Sequence, residues 1–111
     1  MRSRLGRCLS ACATVAVVCA AASTPTSSNA ATHTVVIEGV RFDPEALTIA
    51  RGDTVTWINK DPFPHNVTAK GAFESQDISA GKSWKYTARK AGTYPYVCTL
   101  HPNMQGTLTV K

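Results

Sequence analysis

From Thr34 onward, the sequence is a series of short runs in which apolar and polar residues alternate, separated by turn-forming residues. No stretch carries the apolar stripe of an amphipathic helix, so this periodicity predicts strands. Seven strands are predicted, at 34–40, 47–50, 54–59, 66–69, 83–87, 93–98 and 107–110. This number and spacing, in about 80 residues, indicate an all-β fold, either an antiparallel β-sandwich or a small barrel.

The first 30 residues have a different character. Three arginines precede an apolar stretch at 12–22 that is too short to span a bilayer. Small residues at 28 and 30 fit a signal peptidase site, and so do those at 20 and 22. We expect residues 1–30 to be a cleaved signal peptide, with Ala22 as the alternative cleavage point, and residues 31–111 to form one domain.

Removal of this leader changes the charge and the cysteine content. The whole chain has 12 basic and 7 acidic residues, but three arginines lie in the leader and leave nine against seven. No basic cluster interleaved with aromatic residues is present, so nucleic-acid binding is not expected. Three of the four cysteines also lie in the leader. The domain therefore keeps Cys98 alone, and an unpaired thiol is a liability in an oxidising compartment unless something occupies it.

Cys98, His101 and Met104 recur at every third residue of one short segment, and a second imidazole, His65, lies about thirty residues upstream. Two histidines and a cysteine in a trigonal array, with a weak axial methionine, form the ligand set of electron-transfer copper sites. Zinc would use the cysteine and the histidines but gains little from a thioether. Taken singly, each residue has a simpler interpretation, as a core residue or a turn residue. Together they predict a copper site.

These residues, with Phe42-Asp43-Pro44, the segment 52–57 and the segment 64–67 in the same order, resemble the cupredoxin family of small blue copper proteins. The resemblance covers nearly all of residues 31–111. The short Cys-x2-His-x2-Met spacing is more similar to amicyanin than to plastocyanin. The family resemblance implies a Greek-key β-sandwich of about seven to eight strands. Pro95, just before Tyr96, departs from the family pattern.

The resemblance also implies the roles of individual residues. Cys98, His65 and His101 would form the trigonal plane around one type 1 copper ion, and Met104 would be the weak axial ligand. Asn66 would tie its loop to the Cys98 loop through Thr99. No substrate pocket or general base is expected, so the chain is predicted not to be an enzyme.

As a function, the resemblance implies a soluble periplasmic carrier that shuttles single electrons between redox partner proteins. Methylamine dehydrogenase or a c-type cytochrome would be such a partner, and we expect a monomer without a membrane span. The alternative is a periplasmic protein that binds or delivers copper without an electron-transfer role. Delivery sites are usually more open and richer in methionine or histidine. A metal-free interaction module would leave the lone thiol unexplained.

The predicted cleavage would create one further candidate metal site. A chain beginning Ala31-Thr32-His33 has the free amino terminus and third-position histidine that can bind Cu(II) or Ni(II) in a square plane. The simpler interpretation is that His33 only precedes the first strand.

Overall fold

In the computed structural model, residues 30–111 and the single residue 16 are described. The predicted leader, apart from residues 16 and 30, thus lies outside the described residues. Residues 30–111 contain nine strands in sequence: β1 (Thr32–Ile37), β2 (Phe42–Asp43), β3 (Ala46–Ile49), β4 (Thr54–Asn59), β5 (Thr68–Ala69), β6 (Phe73–Glu74), β7 (Ser83–Thr87), β8 (Gly92–Cys98) and β9 (His101–Val110). Within these described residues there is no helix that is long and apolar enough to cross a membrane.

The strands form two sheets that enclose one core, which confirms the predicted all-β sandwich. One sheet has the order β2-β1-β4-β7 and the other the order β3-β9-β8-β5-β6. The expectation of purely antiparallel pairing was wrong, because β1 runs parallel to β4 and β3 runs parallel to β9. Sequence alternation reports which side chains face inward but carries no information about the direction of a distant partner strand.

The core is filled mainly by aromatic and β-branched side chains from the inner faces of both sheets. Trp57 is fully buried, and its ring meets that of Tyr96 edge-on, with centroids 5.5 Å apart. Trp84, opposite Trp57 on β7, is only partly buried and packs against the outer side of the same cluster. The prediction that both tryptophans fill the core is therefore confirmed for Trp57 and holds in part for Trp84.

Gly106 provides the space for the buried ring of Tyr96. The two residues are direct partners across the β8–β9 ladder. A Cβ at Gly106 would lie 2.4 Å from Tyr96 Cζ and 2.7 Å from Cε2, far inside van der Waals contact. Tyr96 is only 2 % exposed, so the ring has no free space into which it can move. A glycine is thus required here by close approach, not by backbone conformation.

Several strand ends differ from the predicted ones, and three of these differences bring a segment to the same end of the sandwich. β1 ends at Ile37 instead of residue 40, because Glu38 N–H bonds to Arg41 C=O and closes a turn. β5 begins at Thr68 instead of residue 66, which leaves His65 and Asn66 in a loop. β9 begins at His101 instead of residue 107, so the β8–β9 connection is very short.

Pro95 is accommodated because part of β8 has an open edge. β5 pairs with β8 only through Thr68 and Val97, so the stretch of β8 before Val97 has no ladder partner on that side among residues 30–111. On its other side Pro95 lies opposite Thr107 of β9. A residue without an N–H is tolerated at an edge, which gives the departure from the family pattern a physical reason.

Candidate metal centre

A tight hairpin brings Cys98 and His101 together. They are cross-strand partners at the end of the β8–β9 ladder, with only Thr99 and Leu100 in the turn between them. The next ladder pair below them is Val97 with Gln105, so the three residues 102–104 bulge out of β9. Such a bulge redirects side chains locally, and here it lies beside the candidate ligands. Within it, Pro102 and Asn103 are exposed, whereas Met104 is 2 % exposed.

His65 reaches the same place from the other sheet, through the loop that follows β4. Asn59, the last residue of β4, is fully buried and organises this loop. Its amide donates to the carbonyl oxygens of Phe63 and Ile78 at 2.9 Å, and its Oδ1 accepts from the N–H of Asp61. His65 itself forms an isolated β-bridge with Ile78. Backbone and side-chain contacts therefore both fix the position of its ring.

The three strongest predicted ligands converge on one point. One nitrogen each of His65 and His101, and the sulfur of Cys98, all lie within 4.8 Å of one another. The Cys98 sulfur is 3.7 Å from His65 Nδ1 and 3.9 Å from His101 Nδ1. His65 and Cys98 are fully buried, whereas His101 is partly exposed. The arrangement is thus a closed cluster with one side chain at the protein surface.

Asp61 holds the outer nitrogen of His65. Asp61 Oδ2 lies 2.7 Å from His65 Nε2 and also accepts the N–H of Val40, while Oδ1 accepts the N–H of Gly39. Burial disfavours the ionised carboxyl, but these N–H donors and His65 outweigh burial and hold the pKa of Asp61 below its ordinary value. A carboxylate accepts from the protonated Nε2 of His65, which leaves the lone pair of Nδ1 facing Cys98.

Asn66 links the two ligand loops. Its backbone N–H donates to the Cys98 sulfur at 3.3 Å, and its side-chain oxygen accepts the Thr99 N–H at 3.0 Å. Its amide nitrogen donates to the Thr99 hydroxyl oxygen at 2.8 Å. The structure thus contains the contact between Asn66 and Thr99 that the family resemblance implied. An N–H aimed at the sulfur favours the negative thiolate that a metal requires.

The donor set fits copper better than zinc. A thiolate and two imidazoles serve either ion, but zinc sites are completed by nitrogen, sulfur or oxygen ligands of ordinary strength. The fourth predicted ligand here is the thioether of Met104, which is buried in the core beside the hairpin. A thioether suits soft Cu(I) and forms the weak axial contact of blue-copper sites. The residues present can therefore hold a copper ion.

We expect Asp61→Asn to destabilise the metal-free protein by about 2 kcal/mol at pH 7, because an amide cannot accept from all three donors. Asp61 has a lowered pKa, so its contribution is present above the unfolded value, near pH ~4, and is lost as the pH falls further. Urea unfolding of both chains tests this. The difference in stability should shrink between pH 7 and pH ~3.

Asp77→Asn is the matched control for Asp61→Asn. Asp77 is an exposed carboxylate at the same end of the molecule, and its one side-chain contact is a long 3.4 Å hydrogen bond from Asn66. This variant should change stability little at either pH. An Asp61→Asn chain as stable as the parent at pH 7 would contradict the role assigned to Asp61.

Asn59 and Asp61 were missed by the sequence analysis. The available signal was a polar Asn-Lys-Asp run directly after an apolar strand, with the acid four residues before His65.

The amino-terminal segment is also placed differently from a square-planar metal site. Thr32 and His33 lie in β1, in register with β4, and His33 Nε2 is 2.9 Å from Asp53 Oδ2. In this structure, the histidine side chain thus contacts a carboxylate.

Comparison with known proteins agrees with this fold. A family model for the cupredoxin-like domain matches residues 10–110. Amicyanin from Paracoccus denitrificans is 35 % identical over 81 residues, which cover 68 % of this chain and 62 % of that protein. Plastocyanin from Scenedesmus fuscus is 34 % identical over 88 residues, covering 63 % of this chain and 86 % of that protein.

Solved structures give the same result in three dimensions. A Cu(I) form of an amicyanin variant superimposes with a TM-score of 0.68 at 32 % identity, covering 72 % of this chain and 82 % of that chain. The family model spans most of the chain, and the structural match covers 72 % of it. The chain therefore belongs to the cupredoxin family.

Proposed function

We propose that this protein is a blue copper protein that carries single electrons between redox partner proteins. The observation that supports this most strongly is the closed cluster of His65, Cys98 and His101, in which only His101 reaches the surface. Copper as the cofactor is confirmed by family membership and by the donor set, and the related amicyanin structure is a Cu(I) form. When bound, copper supplies the exchange between Cu(I) and Cu(II), which takes up or releases one electron.

His65, Cys98 and His101 would hold the copper ion, and Met104 would be its weakest ligand. The protein contributes by holding these side chains in place. Asp61 fixes His65, the short turn fixes His101 relative to Cys98, and Asn66 connects the two loops. A site held this firmly moves little when the charge of the bound ion changes, so the reorganisation that opposes electron transfer is small.

The burial of the proposed ligands favours an electron carrier over a protein that delivers copper. Two of the three clustered ligands are fully buried, and Met104 is 2 % exposed. Release of the ion to an acceptor would require the hairpin and the loop after β4 to separate, which would break the hydrogen bonds between Asn66 and Thr99. A delivery protein needs a more open site, so this arrangement favours a carrier that keeps its metal.

The experiment that tests this choice is repeated reduction and reoxidation of the copper-loaded protein in the presence of a Cu(I) chelator. A carrier should cycle by one electron per chain and keep its copper. Loss of copper to the chelator on each reduction, at the rate of a freely exchanging site, would support the delivery role instead.

The surface around His101 suits transient contact with a redox partner. Leu100 is 48 % exposed and Phe63 is 39 % exposed. The Phe63 ring lies 5.8 Å from that of His101 and 5.2 Å from that of His65, measured between centroids. Exposed apolar residues grouped in this way indicate a docking patch, and the exposed edge of His101 gives the shortest route for an electron.

We expect Leu100→Lys to slow electron transfer to the partner protein on the order of tenfold, because a charge replaces an apolar contact at the centre of the patch. The side chain points into solvent from the turn, so the absorption spectrum should hardly change. Stopped-flow kinetics with the partner measures the rate. The control is Lys70→Leu, at an exposed position away from the patch. An unchanged rate for Leu100→Lys would contradict docking through this patch.

As for location, we propose that residues 1–30 are a signal peptide and that the domain of residues 31–111 acts in the periplasm. The basic start, the short apolar stretch and the small residues before position 31 support export. We also propose that the domain is a monomer and that it is not an enzyme, because the imidazoles and the thiol of the cluster are assigned to the copper ion and not to acid–base chemistry. Methylamine dehydrogenase and c-type cytochromes remain the proposed classes of partner.

A further inference from the structure

The carboxylate of Asp53 forms a second polar site, unrelated to copper. Asp53 lies in the turn before β4, at the opposite end of that strand from Asn59. It is 7 % exposed. Its Oδ1 accepts the N–H of Ala31 at 2.9 Å, and its Oδ2 accepts the N–H of Ala50 at 3.1 Å and lies 2.9 Å from His33 Nε2. Nothing in the copper site requires this arrangement.

Two hydrogen bonds hold Ala31 to the sandwich. Besides its contact with Asp53, its carbonyl oxygen accepts the N–H of Thr54 at 2.9 Å, which continues the pairing of β1 with β4. Ala30, directly before it, is exposed. In the part of the chain that the structure describes, the nine strands and the buried core lie within residues 32–110. Of residues 30–111, Ala31 is therefore the first that hydrogen-bonds to the sandwich, one residue after the expected cleavage point.

We propose that Asp53 is the receptor for a new amino terminus, created when the peptide bond between Ala30 and Ala31 is hydrolysed. Water adds across this bond, giving a carboxylate on Ala30 and an ammonium group on Ala31. The ammonium takes the place of the peptide N–H that now faces Asp53 Oδ1. This inference rests on the proposed export, and it selects residue 30 over residue 22 as the cleavage point.

Cleavage after Ala30 strengthens the hydrogen bond between residue 31 and Asp53. A neutral N–H donor becomes a charged one, and a hydrogen bond between an ammonium and a carboxylate is roughly twice as strong as a neutral bond. The Asp53 carboxyl group is already held in its ionised form. The hydrogen bond from His33, followed by those from Ala31 and Ala50, holds the pKa of Asp53 below its usual value. Because the site exists only when β1 lies on β4, the ion pair stabilises the folded state alone.

Cleavage after Ala22 would not have this effect. The chain would keep eight further residues before Ala31, whose nitrogen would remain a peptide N–H. The ion pair also competes with the amino-terminal metal site considered above, since both use the amine of residue 31 and the side chain of His33. A histidine and an ammonium that share Asp53 are not free to surround a metal ion.

The experiment expresses the full chain with its leader in a bacterial host and determines the mass of the exported product. A second chain carries one glycine inserted between Ala30 and Ala31, which displaces the ammonium from Asp53. Both are also made with Asp53→Asn, and Glu38→Gln, an exposed carboxylate at the other end of β1, is the control. The thermal midpoint of unfolding, Tm, is measured for each product.

We expect a product that begins at Ala31, and a Tm lowered by roughly 4 °C in the insertion chain. The insertion should leave Tm unchanged in the Asp53→Asn background. In the Glu38→Gln background it should lower Tm as much as it does in the parent chain. If Asp53→Asn does not fold, about 1 M NaCl should reduce the cost of the insertion in the parent chain.

A product with another amino terminus, or an insertion that leaves Tm unchanged, would overturn the proposal. An equal cost with and without Asp53, or a cost that salt does not alter, would do the same. The colour of the copper-loaded product is independent of the amino terminus. It shows separately whether the proposed copper function holds.

Discussion

Replacing Cys98 with alanine should abolish the intense visible absorption of the copper-loaded protein. In a blue copper site this absorption arises from the bond between copper and a thiolate, and Cys98 is the only cysteine among the described residues. The remaining imidazoles of His65 and His101 would still bind Cu(II), but as a weakly coloured nitrogen site. Absorption spectra of both proteins, recorded at equal copper content, measure the loss.

The control for Cys98→Ala is Val97→Ala. Val97 precedes the cysteine on β8 and is partly buried, so its truncation perturbs the same strand without removing a ligand. This chain should keep its colour. Far-UV circular dichroism should show that both variants remain folded, since a buried cysteine packs as a small apolar residue. Strong colour in a folded Cys98→Ala chain would mean that another group makes the chromophore.

Gly106→Ala should be among the most destabilising single-methyl additions in the protein. The added Cβ would overlap the ring of Tyr96, which is enclosed by the core. Overpacking of this kind costs about 3 kcal/mol, which lowers Tm by roughly 12 °C or more in a domain of this size. The entropy gained by removing a glycine from a strand offsets less than a third of that cost. Thermal unfolding of the metal-free protein measures the effect.

A double-mutant cycle identifies the source of that loss. Tyr96→Leu alone destabilises the protein by creating a cavity, but it also removes the ring atoms that the new Cβ would meet. In the Tyr96→Leu background, Gly106→Ala should therefore cost little. An equally large cost in both backgrounds would show that the ring of Tyr96 is not the reason for the glycine.

The parts of the fold that local pattern controls were predictable. The strands at 54–59 and 83–87 have the predicted bounds, because clear alternation there is ended by turn residues. The two-residue strands β2 and β6 were not predictable, since so short an element exists only through pairing with a neighbour. The parallel pairing of β1 with β4 and of β3 with β9 was missed for a related reason, because it depends on contacts between distant parts of the chain.

In the candidate site, too, some residues could be predicted from the sequence and others could not. His65, Cys98, His101 and Met104 were predicted as ligands from their chemistry and spacing, and the first three do come together. Asn59 and Asp61 were missed, because a buried amide and a buried carboxylate look like ordinary loop residues until their partners are known. Their partners, Ile78 and the 39–40 turn, lie about 20 residues away in sequence, so only the folded chain shows what they hold.

The most direct test of the proposed copper centre is the absorption spectrum of the protein loaded with one equivalent of Cu(II). A thiolate, two imidazoles and a thioether in a closed site predict an intense visible band that reaches its maximum at one copper per chain. The band should vanish on reduction and return on reoxidation. A folded, copper-loaded protein without such a band would contradict the assignment of these residues as a blue copper site.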